Sequence, residues 1–391
     1  MTKRKMLLMF VIMMTFAGGF TAGVLFSNNQ EDQKALEAPT SKKALQAPVS
    51  QKELKAKTPP KPAQPKVLMG YVQEYRNPNS VDYSKLTHVI FSFAHPTKDG
   101  HILLNGDTAL NNLKTMVKLA HEHDTKAILA VGGWFHMNGG ETYGYFKEAI
   151  ANPASRTTLV NELSAIAERE NLDGIDIDFE HPRSNKDALL LSAFTKELSQ
   201  KLHAHNKELS IAVYAKIHSV TGTEVNAVVF EPSMFNYTDH VNIMAYDGQW
   251  DGGYDASNLS PYPFAENIVH YWKELFEKQG LSKEKLVLGV PVYAQPENES
   301  AKQLSYAAIV DSNPDNAWRD VAVVNGMTYH YNGRSTMQQK TKLALDNGFG
   351  GMMLWEAGHD APGGASLTAA ISEAIQQKQD LNKNTAKSKK Q

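Results

Sequence analysis

Apolar residues along the chain gather into eight short runs, at 67–72, 88–94, 126–132, 174–179, 209–214, 240–246, 286–292 and 350–355. Runs of this length, bounded by polar and glycine positions, read as strands. Between most of them the apolar positions recur every three or four residues, at 110–121, 156–170, 187–203, 264–279 and 336–347, the spacing of a helix with one buried face. Strands alternating with helices imply a parallel sheet covered on its outer side. The span 67–376 has the size of a single (β/α)8 TIM barrel, so one large domain is expected rather than two.

The fourth run departs from the others because its alternation carries charge. Asp176, Asp178 and Glu180 alternate with Ile175, Ile177 and Phe179, so on a strand all three carboxyls share one face and the apolar residues the other. Two readings compete. The acids could form the solvated face of an antiparallel sheet, or they could look into a protected space. The run follows a helical stretch and ends at His181-Pro182, which makes it a βα unit with its acids at the carboxyl end, where barrel enzymes place their chemistry. Carboxyls removed from water must share protons and hydrogen bonds. Such a column binds a cation or performs acid–base chemistry.

The segment Asp173-Gly174-Ile175-Asp176-Ile177-Asp178-Phe179-Glu180 resembles the signature of glycoside hydrolase family 18, the chitinases and their relatives, and matches it at every acid. Three further elements resemble the same family and fall in its order along the chain. Ala130-Val131-Gly132-Gly133-Trp134 is similar to the S-x-G-G element of the third strand, with alanine in place of serine. Met244-Ala245-Tyr246-Asp247 matches the M-x-Y-D element of the sixth, and Trp355 stands where the family keeps the tryptophan beneath the cleaved sugar. The resemblance implies an endo-acting hydrolase of N-acetylglucosamine polymers that uses the substrate's own acetamido group as nucleophile. Glu180 would be the acid, its pKa lifted by Asp178 and Asp176. Asp178 and Tyr246 would orient the acetamido group, and Asp247 would bind a hydroxyl or a neighbouring acetamido group.

The same resemblance implies that Gly132 and Gly133 let the backbone lie close to a sugar, and that Met244 belongs to the site. Trp134, Tyr71 and Phe93 are candidates for an aromatic cleft, with core packing the alternative for Tyr71 and Phe93. Ala130 removes a hydroxyl from beside the acids. After the seventh run, Ala294-Gln295 stands where the family has Gly-Arg, and the segment from Pro296 to Ser335 is short for the insertion that walls deep clefts. A shallow groove is therefore expected. A same-family hydrolase of N-glycans or peptidoglycan, and a chitin-binding lectin on the same barrel, remain as alternatives.

Outside the barrel the sequence is less specific. Lys3-Arg4-Lys5 precedes an uncharged stretch at 6–26, which suits a secretory signal peptide or a membrane anchor and places the rest of the chain outside the cytoplasm. Residues 27–66 are rich in proline, lysine and alanine and are expected to be a disordered linker; 377–391 is expected to be a disordered basic tail. A net charge of −2 gives no footprint for nucleic acid, and the absence of cysteine excludes disulfides and thiol chemistry. The 14 histidines show no H-x-x-x-H spacing, so no metal or cofactor is expected. The expected partner is an N-acetylglucosamine-containing polysaccharide, bound by a monomer, with membrane contact only through the first segment.

Overall fold

A computed structural model describes residues 65–388, with side chains as far as 385; the expected signal or anchor segment and almost all of the expected linker lie outside the described residues. Eight parallel strands form the centre: β1 (Val67–Gln73), β2 (His88–Pro96), β3 (Lys126–Gly132), β4 (Gly174–Asp178), β5 (Glu208–Tyr214), β6 (His240–Met244), β7 (Leu286–Pro291) and β8 (Gly351–Trp355). Each pairs with its neighbour in sequence, and β1 pairs with both β2 and β8, which closes the sheet into the expected barrel. The period-two alternation divides the strand residues into two apolar sets. Val89, Phe91, Ile175, Ile177, Val241 and Ile243 pack outward under the helices, while Met69, Ile90, Ile128, Ala130, Val287 and Met353 fill the barrel interior.

Helices α1 (Gly106–Glu122), α2 (Thr142–Ala151), α3 (Pro153–Arg169), α4 (Asn185–His203) and α5 (Tyr262–Lys278) cover the strands. In α1, Ala109, Leu113, Met116, Val117 and Ala120 form the buried stripe that the sequence spacing requires. The stretch after β3 is two helices because Pro153 opens a new one, with the Asn152 side chain accepting from the Ala154 amide at 2.8 Å. No α-helix follows β1 or β5. Short 3₁₀ turns stand there instead, and the one after β5, Pro232–Asn236, seats Phe235 edge-on against Trp272 of α5, with ring centroids 5.7 Å apart.

The insertion after β7 is short, as expected, yet it carries more structure than its length suggests. Strands Tyr293–Pro296, Leu304–Ser305, Val321–Val324 and Met327–His330 form an antiparallel sheet beside helix α6 (Tyr306–Ser312). Asn325 and Gly326 both have positive φ, the two-residue turn that joins a tight hairpin. Helix α7 (Arg334–Asp346) then leads into β8. The final helix, α8 (Leu367–Ser388), corrects the expectation of a disordered tail, since 377–388 are helical. Residues in this stretch are mostly good helix formers, and Lys378 pairs with Asp346 at 2.5 Å. Among the described residues, no helix is long and apolar enough to cross a membrane.

Trp272 is fully buried and its indole N–H donates to the Ala215 carbonyl at 3.1 Å, replacing the packing that a helix after β5 would give. Trp272→Ala is expected to lower stability by about 3–5 kcal/mol in urea unfolding. A loss below about 1 kcal/mol would show that this side of the barrel is not packed as described.

Candidate active site

The acid column rises from inside the barrel to its carboxyl end. Asp176 and Asp178 point to the interior because Ile175 and Ile177 point out to the helix layer, and both acids are buried. Glu180 lies just beyond the strand and is half-buried. The strand that looked polar on one face is therefore interior on both, and the solvated-sheet reading fails.

Asp176 is fully enclosed and accepts three hydrogen bonds. Tyr71 Oη donates to Oδ2 at 2.7 Å, while Ser210 Oγ and Asn242 Nδ2 donate to Oδ1 at 2.5 and 3.2 Å. Burial raises its pKa to about 6 against the opposing pull of these three donors. Asp178 is raised well above the ordinary carboxyl range by burial first, then by the charges of Glu180 and Asp176, and its Oδ1 has no hydrogen-bond partner. Glu180 is raised to about 8, by burial and then by Asp247. Glu180 and Asp178 also repel each other as like charges, so a proton on either one favours ionisation of the other.

Tyr246 is nearly buried, and burial followed by the charge of Asp178 keeps its hydroxyl protonated well above the usual range. Asp247, with φ of 62°, turns its carboxylate to the open mouth, where Tyr293 Oη and Gln249 Nε2 donate to Oδ1 at 2.5 and 3.2 Å. Ser260 Oγ donates to the carbonyl of Ala245 between these elements and accepts in turn from the buried Lys340 at 2.7 Å. Trp355 lies half-buried, edge-on to Tyr71 with centroids 5.5 Å apart and stacked on Phe93 at 5.9 Å. Trp134 is 38% exposed and packs against His181, next to Glu180. Met244 is half-buried against the interior cluster.

Two expectations need correction. Tyr71 is 1% exposed and its hydroxyl is committed to Asp176, so it supports the acid column from below instead of lining a cleft. Gly132 and Gly133 open space for protein rather than for sugar. A Cβ on Gly132 would fall 2.0 Å from the Asp178 carbonyl oxygen, and one on Gly133 would strike the Phe93 ring at 2.7 Å. Gly132 lets β3 close on β4 and Gly133 makes room for the Phe93 ring of β2, and the Gly133 amide donates to that same Asp178 carbonyl at 3.0 Å.

Sequence reasoning missed Ser210, Asn242, Tyr293 and Gln249. Ser210 sits in register with Asp176 and supplies the hydroxyl that Ala130 lacks. The available signal was a single polar residue on the inward face of an otherwise apolar run. Beside Trp355 and Tyr293 opens a cavity of about 670 Å3, with Lys302, Gln303 and Leu304 of the insertion on one side and Arg76 on the other. Arg76 is paired with the buried Glu356 at 2.5 Å. The short insertion therefore does supply a wall. Glu180 does not line this cavity, which adjoins the acid site through Trp355.

A model of the glycosyl hydrolases family 18 matches residues 67–360. A chitinase-like effector of Moniliophthora roreri is 30% identical over 233 residues, covering 55% of this chain and 54% of that protein, so the chain spans about half the length of that relative. Endochitinase 1 of Metarhizium robertsii is 25% identical over 375 residues, covering 78% of this chain and 82% of the relative. The crystal structure of a chitinase from the chitin utilization locus of Flavobacterium johnsoniae superposes with a TM-score of 0.66 at 25% identity, covering 80% of this chain and 94% of that one.

The contact at Gly132 is checked by paired substitutions. Gly132→Ala, at φ of 126°, is expected to cost at least about 1–3 kcal/mol in urea unfolding because the backbone of β4 must move. Gly144→Ala, in α2 with open space around it, is expected to be neutral or stabilising by up to about 1 kcal/mol. Equal effects at both positions would remove the packing role given to Gly132.

Proposed function

Because the chain belongs to the glycosyl hydrolases family 18, we propose that it hydrolyses β-1,4-linked N-acetylglucosamine polymers, chitin or chitooligosaccharides, with retention and with the substrate's acetamido group as nucleophile. Glu180 delivers its proton to the bridging oxygen. The acetamido oxygen attacks the anomeric carbon as the bond to the leaving sugar breaks, giving an oxazolinium ion. Glu180, now a carboxylate, takes a proton from the water that reopens the ring at the same carbon. Asp178 accepts the acetamido N–H and stabilises the positive charge, Tyr246 donates to the acetamido oxygen, and Asp176 shares the charge of the column from below.

One observation carries this reading: a buried, unpaired carboxylate oxygen on Asp178, beside a half-buried acid that holds its proton. An orphaned acceptor in a dry site is costly and calls for a donor, and an amide N–H on the substrate supplies one. This favours an N-acetylated sugar over a plain hexose. Trp355 and Phe93 offer an apolar floor for the sugar ring. The catalytic unit is assigned to 67–376, and export is supported by the uncharged stretch after Lys3-Arg4-Lys5.

Glu180→Gln is expected to lower turnover of chitin oligomers by at least about 100-fold while retaining sugar binding. Wild-type cleavage of N-glycans or peptidoglycan but not chitin oligomers would change the substrate, and binding without cleavage by either form would make the protein a lectin. The raised pKa means Glu180 is protonated below about 8, so kcat should fall as pH rises through that value. An alkaline limb near 4–5, the range of an ordinary carboxyl, would show that Glu180 is not held protonated as described. Tyr246→Phe should lower kcat more than it raises KM, since its hydrogen bond strengthens as the oxazolinium forms; a change in KM alone would assign Tyr246 to ground-state binding.

A further inference from the structure

The amino-terminal end of the barrel, opposite the acid column, holds a polar cluster that the proposed reaction does not use. His88 opens β2, Lys126 opens β3, Glu208 opens β5 and His240 opens β6. Each is two positions before an inward-facing residue, respectively Ile90, Ile128, Ser210 and Asn242, so all four start on the inward side, with His88 buried, Glu208 and His240 partly buried and Lys126 exposed at the rim. They take the place of the aliphatic residues that usually fill such a barrel layer.

Within the cluster, His88 Nε2 lies 2.9 Å from Glu208 Oε2, and His240 Nε2 lies 3.9 Å from the same oxygen. One donor atom from each of the three residues falls within 4.8 Å of the others. A tetrahedral zinc with bonds of about 2.0–2.1 Å sets its donors about 3.3 Å apart, between the two measured separations, so modest side-chain adjustment would suffice. The surroundings suit a bound cation in three further respects. The His88 Nδ1 is engaged by Thr87 Oγ1 at 2.8 Å, an outer contact that fixes the ring and leaves Nε2 toward the cluster. The His240 Nε2 is too far from Glu208 for a hydrogen bond, so it can take a cation without giving up a bond to that carboxylate. Lys126 holds Glu208 Oε1, which leaves Oε2 as a single ligand.

We propose that His88, Glu208 and His240 bind Zn2+ at the amino-terminal end of the barrel, with water completing the coordination from the partly exposed side of Glu208. Two imidazoles and one carboxylate favour zinc over magnesium or calcium, which prefer oxygen ligands. The ion would join β2 to β5 and β6, strands from opposite sides of the barrel. Its role would be structural, because the proposed chemistry sits at the other end.

The test uses the full chain freed of metal by a chelator, titrated with zinc chloride by calorimetry and followed by thermal unfolding. The expected result is one zinc per chain and a Tm that rises with free zinc as mass action requires. His240→Gln, which removes no protein hydrogen bond recorded for that ring, and Glu208→Gln should each weaken binding at least about 10–100-fold. His203→Gln, at the neighbouring surface pair with Asp239, should bind as wild type does. The proposal is overturned if the wild-type protein takes up no zinc, if His240→Gln binds as tightly as wild type, or if His203→Gln abolishes binding; the cluster is then an ion-paired plug of His88, Glu208 and Lys126.

Discussion

Desolvation of the Asp176–Asp178–Glu180 column is the constraint to which the rest of the site answers. Three carboxyls cannot all ionise in a space from which water is largely excluded, so each is handled differently. Asp176 is given three hydrogen-bond donors, Asp178 is left with an unpaired oxygen, and Glu180 is placed half-buried just beyond the carboxyl end of the strand. The raised pKa values share one leading cause, burial, and that burial follows from closing the barrel over a strand whose other face is apolar.

Barrel closure at this point depends on backbone contact. β3 and β4 approach so closely that nothing larger than hydrogen is tolerated on Gly132 beside the Asp178 carbonyl. The same approach sets the carboxyl end of β4 from behind. On the other side, Tyr246 and Asp247 are held by a chain running from Lys340 through Ser260 to the Ala245 carbonyl. The site is thus braced by residues from α7 and from the loop after β6.

The barrel was legible in the sequence because each strand is a short apolar run and most intervening stretches keep helical spacing. The absent helices after β1 and β5 were legible only as an absence of that spacing. The acids, Tyr246 and Trp355 could be found because the resemblance covers them in order. Ser210 and Asn242 each left one signal, a single polar residue on the inward face of an apolar run, which does not say that strand pairing and barrel closure bring both to Asp176 from two other strands. Tyr71 shows the reverse problem. An aromatic on a strand looks the same in sequence whether it floors a cleft or lies one layer lower with its hydroxyl committed to a carboxylate. His88, Glu208 and His240 likewise come from three separate strands, and local spacing carries no sign of their meeting.

Asp176 is surrounded by groups arranged to give hydrogen, which suits the ionised form. When it gains a proton, that proton needs an oxygen to point at, and one of its neighbours has to reverse. The hydroxyls of Ser210 and Tyr71 can do so by turning about a single bond, and the side-chain oxygen of Asn242, which is buried without a partner, is a spare acceptor close by. The charge on the lowest acid is therefore written in the orientation of two small rotors. The column can gain or lose a proton at its base with no movement of the backbone.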